Sequence, residues 1–419
     1  MLFYLLLPVL LLLLLLLINV WSPRKRLDHQ IRSFYSTRDA QFVRVMGSLM
    51  GPAILEGNKV TPLQNGREIF PSMLEAIRGA QHTITFETYI YWSGAIGKEF
   101  AQALTERSRA GVKVHLLLDW LGSRDLDDES IEQMTEAGIS IEKFHPLRWY
   151  NLARLNNRTH RKILVVDGRI GFTGGVGIAD VWKGNAEDPE HWRDSHYRVE
   201  GPVVAQLQAA FLDNWHTNSQ EVLHSDMYFP LLQPMGESRG QVFRSSPEEG
   251  SGSVRLMYML SIAAATRNLR IAIAYFVPDR LAIALLAEAS RRGVRVQIIV
   301  PGHHIDTAIV RRASRAKWKK LLKAGVEIYE YQPTMYHCKY MIVDDIWVSV
   351  GSTNFDDRSF RLNREANLNV YDAPFAATQI ATFEEDLLKS RQVTLSQWSK
   401  RPWSERIMEF FASLIETQL

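Results

Sequence analysis

Residues 111–119 read GVKVHLLLD, and residues 293–301 read GVRVQIIVP. Each is a short apolar run opened by a glycine, with the length and aliphatic composition of a strand buried on both faces. Each follows a helix-like stretch, Gly97 to Ala110 and Leu281 to Arg292, which itself follows a strand-like stretch, Thr83 to Tyr91 and Leu269 to Val277. Downstream the parallel continues: residues 162–167, KILVVD, match residues 339–344, KYMIVD, and both run into glycine-containing turns. The same order of elements twice in one chain identifies a tandem duplication. Strands alternating with helices predict an α/β sandwich in each repeat, the two packing as one bilobed unit.

The rest of the chain divides around these repeats. Residues 1–21 are almost wholly apolar, a leucine run broken only by Pro8. They are expected to form a transmembrane anchor, because such a run spans a hydrocarbon core roughly 30 Å thick and no small-residue cleavage site follows it. Trp21 stands where interfacial aromatics stand, and Arg24, Lys25, Arg26, Arg32, Arg38 and Arg44 make 22–60 a basic juxtamembrane segment. The positive-inside tendency then puts the catalytic part of this single-pass protein on the cytoplasmic side. The first repeat is expected over 61–222 and the second over 254–392, with the polar segment 223–253, rich in Gly, Pro, Ser and Glu, as linker. The tail, 393–419, carries Trp398, Trp403, Ile407, Phe410, Phe411, Leu414 and Ile415 at helical spacing, with Pro402 and Ser404 marking a helix start. An anionic bilayer disfavours its acids Glu405, Glu409 and Glu416, so the stripe is read as core ahead of an interfacial face.

Composition narrows the chemistry. Lys and Arg total 49 against 46 Asp and Glu, a net charge of +3, which gives no field of the kind a dedicated nucleic-acid binder carries. Cys338 is the only cysteine, so an internal disulfide and a cysteine-based zinc site are excluded. His303 and His304 are adjacent, point to opposite faces of an extended chain and have no further ligand cluster, so they read as loop residues. His191 and His196 flank Trp192, Arg193 and Asp194 and are read as structural. The run Arg311, Arg312, Arg315, Lys317, Lys319 and Lys320 reads as a solvated helix face with some capacity to attract anionic head groups.

The strongest signal is the pattern H-x-K-x-x-x-x-D, formed by His160, Lys162 and Asp167 and again by His337, Lys339 and Asp344. Residues two apart on an extended chain share a face, so the histidine and lysine of each copy reach one pocket. By the same alternation Cys338 turns away from them and has a packing role. Imidazole and ammonium groups converging from two repeats fit a phosphodiester. Lysines stabilise the charge that grows on its oxygens, without calling on a metal, and two histidines supply a nucleophile and an in-line proton donor.

These motifs and their surroundings resemble the phospholipase D superfamily, and in detail the bacterial cardiolipin synthases. The likeness extends to Glu87-Thr88-Tyr89, to Leu117-Leu118-Asp119-Trp120-Leu121-Gly122-Ser123, to Gly174-Gly175 and to Tyr275-Phe276-Val277-Pro278. Behind the second motif it includes Gly351-Ser352-Thr353-Asn354, Asp356, Arg358, Ser359, Asn363 and Glu365. The resemblance implies transfer of a phosphatidyl group between phosphatidylglycerol molecules through a phosphohistidine, with no cofactor, at a bacterial inner membrane. It favours His160 as nucleophile and His337 as acid and base. It also implies a buried carboxylate behind each imidazole, and downstream position assigns Asp194 to His160 and Glu365 to His337. Ser352 and Asn354 fall on the phosphate side. Asp167 and Asp344 read as supports of strand and turn. One departure is Gly177, where the family pattern has an asparagine, a loss of about 1 kcal/mol of phosphate binding if nothing replaces that donor.

Three other readings compete. A hydrolytic phospholipase D, or one accepting another head group, would use the same residues, and nothing in the motifs separates water from an alcohol as acceptor. A nuclease is disfavoured by the weak net charge and the apolar amino terminus. A non-catalytic scaffold is disfavoured by intact histidine and lysine in both repeats.

Overall fold

The structure, a computed structural model, describes residues 31–32, 34–146, 157–247 and 253–414. The anchor expected at 1–21, with Arg24, Lys25 and Arg26 behind it, lies outside the described residues. Among the described residues no helix is long and apolar enough to cross a membrane.

Seven strands come from the first repeat: β1 (Leu55–Gln64), β2 (Thr83–Thr88), β3 (Lys113–Asp119), β4 (Ser140–Phe144), β5 (Ile163–Val166), β6 (Ile170–Gly174) and β7 (Ser195–Glu200). Eight come from the second: β8 (Ser238–Ser245), β9 (Asn268–Ile273), β10 (Arg295–Pro301), β11 (Glu327–Tyr331), β12 (Lys339–Val343), β13 (Trp347–Gly351), β14 (Glu365–Tyr371) and β15 (Ser390–Val393). From edge to centre the first repeat runs β4-β3-β2-β5-β6-β7-β1, and the second runs β11-β10-β9-β12-β13-β14-β8, with β15 added outside β11. The order is the same in both repeats, as a duplication requires. The antiparallel pair β1 and β8 joins them into one sheet.

The near-continuous apolar strands follow from burial on both faces. Helices α2 (Asn65–Gly79), α3 (Ala95–Arg109) and α4 (Asp128–Glu136) set Phe70, Phe100 and Met134 against Phe86, Leu116 and Leu164 of the first repeat. In the second, α6 (Ser253–Ala264), α7 (Arg280–Arg291) and α8 (Ala308–Lys323), with α1 (Ala40–Leu49), cover Ile271, Ile298 and Met341. The opposite faces meet in a core built from both repeats. There Leu117, Ile163 and Tyr197 pack with Ala272, Ile299 and Ile342 around Phe211 and Trp215 of α5 (Val204–Ser219) and Phe375 and Phe383 of α10 (Ala373–Leu388). Leu116 and Leu117 go to different cores because successive strand residues alternate in direction.

Three segments differ from expectation. The stretch 223–253 is not simply a linker, since β8 lies within it, pairs with β14 and β1, and buries Val242 and Phe243. Its polar composition hides a strand because Gln241, though polar, is buried with its carboxamide N–H groups donating to the carbonyls of Met46 and Pro52. Likewise 22–60 contributes α1 and most of β1. The tail forms α11 (Leu395–Ser399) and α12 (Trp403–Leu414); of its apolar stripe Trp398 is core, but Trp403, Ile407, Phe410, Phe411 and Leu414 are exposed while Glu409 and Ala412 are buried, and Ile415 lies outside the described residues. The docked face is polar because Glu409 binds Arg315 and Arg401.

Asp167 and Asp344 sit at the ends of the motif strands and bind backbone there. The Asp167 carboxylate accepts from the backbone N–H groups of Gln81, His82 and Thr83, and that of Asp344 from Thr266, Arg267 and Asn268 and from the hydroxyl of Thr37. Each ties the end of its motif strand to the start of β2 or β9. Both backbones are left-handed, φ 52°, a conformation that Asp and Asn tolerate better than other residues. Asp344→Ala is therefore expected to lower unfolding free energy by about 3 kcal/mol in a urea titration, from stranded N–H groups and the strained backbone. Asp344→Asn, which keeps the backbone preference, is expected to lose less.

Candidate active site

The two motifs meet where the repeats face each other. Thr159 forms a parallel bridge with Arg364, and Arg193 one with Tyr336. The His160 N–H donates to the Arg364 carbonyl at 2.8 Å, and the His337 N–H to the Arg193 carbonyl at 2.7 Å. Each histidine thus runs beside the residue that precedes a carboxylate of the other repeat.

This register crosses the carboxylate pairs. Glu365 holds His160, with its oxygens 3.0 and 3.1 Å from Nδ1, and Asp194 holds His337, with Oδ2 2.6 Å from Nδ1. The assignment by downstream position, Asp194 to His160 and Glu365 to His337, is corrected: order along the chain says nothing about which repeat a residue faces across a twofold-like seam. Both acids are fully buried. Burial alone would raise the carboxyl pKa of Glu365, but the His160 contact, Lys162 and the Ser352 hydroxyl bring it below the ordinary value. Asp194 is likewise held low, against burial, by His337 and Lys339. An ionised acid at each Nδ1 fixes the proton there and leaves Nε2 with its lone pair.

The lysines complete the pocket. Lys162 Nζ donates to the His160 carbonyl at 2.8 Å, and Lys339 Nζ to the His337 carbonyl at 2.5 Å. All four groups feel one another. Burial, then the charge of Lys162 and of Lys339 from the other repeat, pushes His160 down to about 4 against the pull of Glu365. Burial, Lys339 and Lys162 push His337 down to about 3 against Asp194. Lys162 is lowered to about 7, mainly by burial, with Glu365 opposing and Lys339 assisting. Lys339 is lowered by burial as well. Neutral imidazoles beside two ammonium groups make a site prepared for an anion, whose arrival would favour protonation of one ring.

The two repeats differ behind their carboxylates. The Ser352 hydroxyl donates to Glu365 at 2.5 Å. Its counterpart is Gly175, where any side chain would collide with the Asp194 carboxylate, and there the Trp182 indole N–H takes over, 3.1 Å from Asp194. Gly177 stands where Asn354 stands in the second repeat. A Cβ there would lie 2.8 Å from Ile90 Cβ and 3.2 Å from the Trp182 ring, so Ile90 and the indole together occupy the room an asparagine would need. Asn354 is buried, and its carboxamide oxygen has no partner among the described residues.

Other residues went unassigned in the sequence. Trp182 and Trp192 pack their rings 5.5 and 5.3 Å from that of His337, and Tyr89 packs 5.3 Å from His160. Arg193, just before Asp194, makes a bidentate pair with Asp386 at 3.0 Å on both arms, and Arg364, just before Glu365, binds Asn214 at 2.6 Å. Glu87, buried, accepts from Thr159 and Asn214 and braces the approach to His160. The repeated Arg-acid dipeptide marks the two acids in the sequence but not which histidine each one meets. Cys338 is buried against Ser195 and Arg193, and burial raises its thiol to about 12, in keeping with a packing role. His303 and His304 lie between β10 and α8, and His191 binds Asp188. Arg311 and Arg315 are not merely solvated, since both bind buried Glu330.

A family model described as cardiolipin synthase, PLD-like domain, matches residues 73–211 and 258–387. The chain belongs to that family. Among relatives of the family, cardiolipin synthase 1 of Bacillus anthracis is 34% identical over 405 residues, covering 94% of this chain and 79% of the relative. The major cardiolipin synthase ClsA of Bacillus subtilis is 34% identical over 395 residues, 93% of this chain and 81% of its own. Among solved structures, phosphatidylserine synthase of Haemophilus influenzae superposes with a TM-score of 0.70 at 14% identity, over 87% of this chain and 97% of that one, a likeness of fold.

Proposed function

We propose that the chain is a cardiolipin synthase-type phosphatidyltransferase, acting on phosphatidylglycerol at a membrane surface. The observation that carries the chemistry is the crossed pair of imidazoles, each fixed at Nδ1 by a buried acid of the other repeat and flanked by Lys162 and Lys339. The named relatives point to cardiolipin as the product, and the family resemblance to phosphatidylglycerol as the substrate. In this reading the bound anionic phosphodiester brings a proton from solvent onto His337 Nε2, His160 Nε2 attacks phosphorus of one phosphatidylglycerol, the P–O bond to the head-group glycerol breaks, and His337 gives that oxygen the proton. A free glycerol hydroxyl of a second phosphatidylglycerol then surrenders its proton to His337 and attacks the phosphohistidine. Cardiolipin forms and His160 is regenerated. The two lysines hold the non-bridging oxygens throughout. Phosphodiester bonds broken and made are equal in number, so the reaction needs no external energy source.

Purified full-length protein with radiolabelled phosphatidylglycerol in mixed micelles is expected to yield cardiolipin and free glycerol in equal amounts. Accumulation of phosphatidic acid instead would move the assignment to hydrolysis.

The pH dependence follows from the site. kcat/KM reports groups of the free enzyme. It is expected to fall on the acid side as His160, near 4, takes up a proton and loses its lone pair. On the alkaline side it falls as Lys162, near 7, loses its charge. Lys162→Arg stays charged and should carry the alkaline limb upward in pH even though its maximum is lower. An alkaline limb unmoved in that variant would take Lys162 out of phosphate binding.

A further inference from the structure

Helix α12 has two unlike faces. At 100° per residue, Trp403, Ile407, Phe410, Phe411 and Leu414 fall within an arc of roughly 100°, the width of an apolar helix face. Trp403 is 75% exposed, Phe411 63% and Leu414 63%. Five large apolar side chains in one exposed patch are unusual for a protein surface that meets only water.

The opposite face is where the acids are. Glu409 is buried, with Oε1 3.3 Å from Arg315 and Oε2 2.8 Å from Arg401, and Glu405 lies 3.5 Å from Arg315. Glu409 is neutralised inside the protein and Glu405, half-exposed, is paired with Arg315 on the side of the helix away from the apolar face, so neither lies against an anionic surface on that face. Arg406, beside the arc, and Arg312 of α8 are exposed.

The position of the helix gives the patch a use. Ala412 packs in one small cluster with Val277, Val310, Ala313 and Tyr275. The Tyr275 hydroxyl donates to Asp306, whose carboxylate feels the charge of Lys339. The last turn of α12 therefore stands beside the second-repeat edge of the catalytic pocket.

We propose that α12 is an interfacial helix whose Trp403–Leu414 apolar face lies in an anionic lipid monolayer and seats the mouth of the pocket on that surface. This rests on the lipid-substrate reading for its choice of partner. The five side chains enter the acyl boundary, Arg406 and Arg312 meet lipid phosphates, and the buried Glu409 pairs keep the helix fixed to α8. An apolar amino-terminal segment would tether the protein, and α12 would set its orientation.

The test uses the full chain, reconstituted in vesicles of phosphatidylcholine and phosphatidylglycerol containing phosphatidylcholine brominated on its acyl chains. Phe410→Cys carries an environment-sensitive fluorophore, and Cys338, being buried, is not labelled. Bromolipid is expected to quench this label several-fold more than the same label at the exposed Arg109→Cys on α3, as acyl-depth insertion requires. Equal quenching at the two sites would overturn the proposal, as would a label already shielded in vesicle-free protein and brought together in a covalent dimer, which would assign the face to a second copy. The readout needs no turnover, so it stands apart from the transfer reaction. In a second variant, Ile407→Asp with Phe411→Asp, turnover on vesicles is expected to fall about tenfold while turnover on short-chain phosphatidylglycerol in micelles stays within about twofold. Equal loss on both substrates would indicate a folding defect at α8 and count against the proposal.

Discussion

Replacing either His160 or His337 by alanine is expected to lower phosphatidyl transfer by about 10⁴-fold or more, since groups that act as a unit fail together when one is removed. That is about 5.5 kcal/mol of transition-state stabilisation at 1.36 kcal/mol per decade. The two losses should differ in kind. Without His337 the alcohol leaves unprotonated, but attack by His160 remains possible on a phosphatidyl ester of a nitrophenol, whose oxygen leaves well without an acid. Radiolabel from such a substrate should stay on His337→Ala protein, because the group that activates the second alcohol is missing. His160→Ala should carry none. The reverse pattern would make His337 the nucleophile, and full activity in either variant would refute a shared site. A thermal melt checks that both proteins fold.

The duplication and the order of its elements along the chain were open to reading in the sequence because buried parallel strands such as 111–119 and 293–301 must be apolar throughout, whatever surrounds them. The placing of each histidine beside the lysine two residues on was equally legible, since spacing on an extended chain is local geometry. What depends on the meeting of the two repeats was not legible. The crossing of Asp194 and Glu365 depends on the bridges of Thr159 with Arg364 and Arg193 with Tyr336, contacts between residues far apart in the chain. Strand β8 was missed because its burial relies on pairing with β14 and β1 rather than on its own composition. The face of α12 was misread for a similar reason: Glu409 looked like a solvent group until Arg315 and Arg401 arrived from elsewhere to bury it. Gly177, a departure in the sequence, is an adjustment in space, because Ile90 and Trp182 fill the room and Trp182 serves Asp194.

The crossed carboxylates give the second large effect, and one that separates the two possible pairings. Glu365→Gln and Asp194→Asn keep shape but can no longer act as ionised acceptors, so each histidine is expected to lose its fixed tautomer and transfer to fall by roughly 10³- to 10⁴-fold, the scale on which an orienting carboxylate acts in other histidine-dependent sites. With the natural phospholipid both variants would look alike. With the nitrophenol ester they should part. Glu365 holds His160, so Glu365→Gln impairs the nucleophile itself and covalent labelling should be slow. Asp194 holds His337, so Asp194→Asn leaves the attack on phosphorus intact and impairs the later transfer, and label should accumulate. Pairing within each repeat predicts the opposite. Slow labelling in Asp194→Asn with fast labelling in Glu365→Gln would mean that the acids act on the histidines of their own repeats, and the seam between Thr159 and Arg364 would no longer account for how the site is assembled.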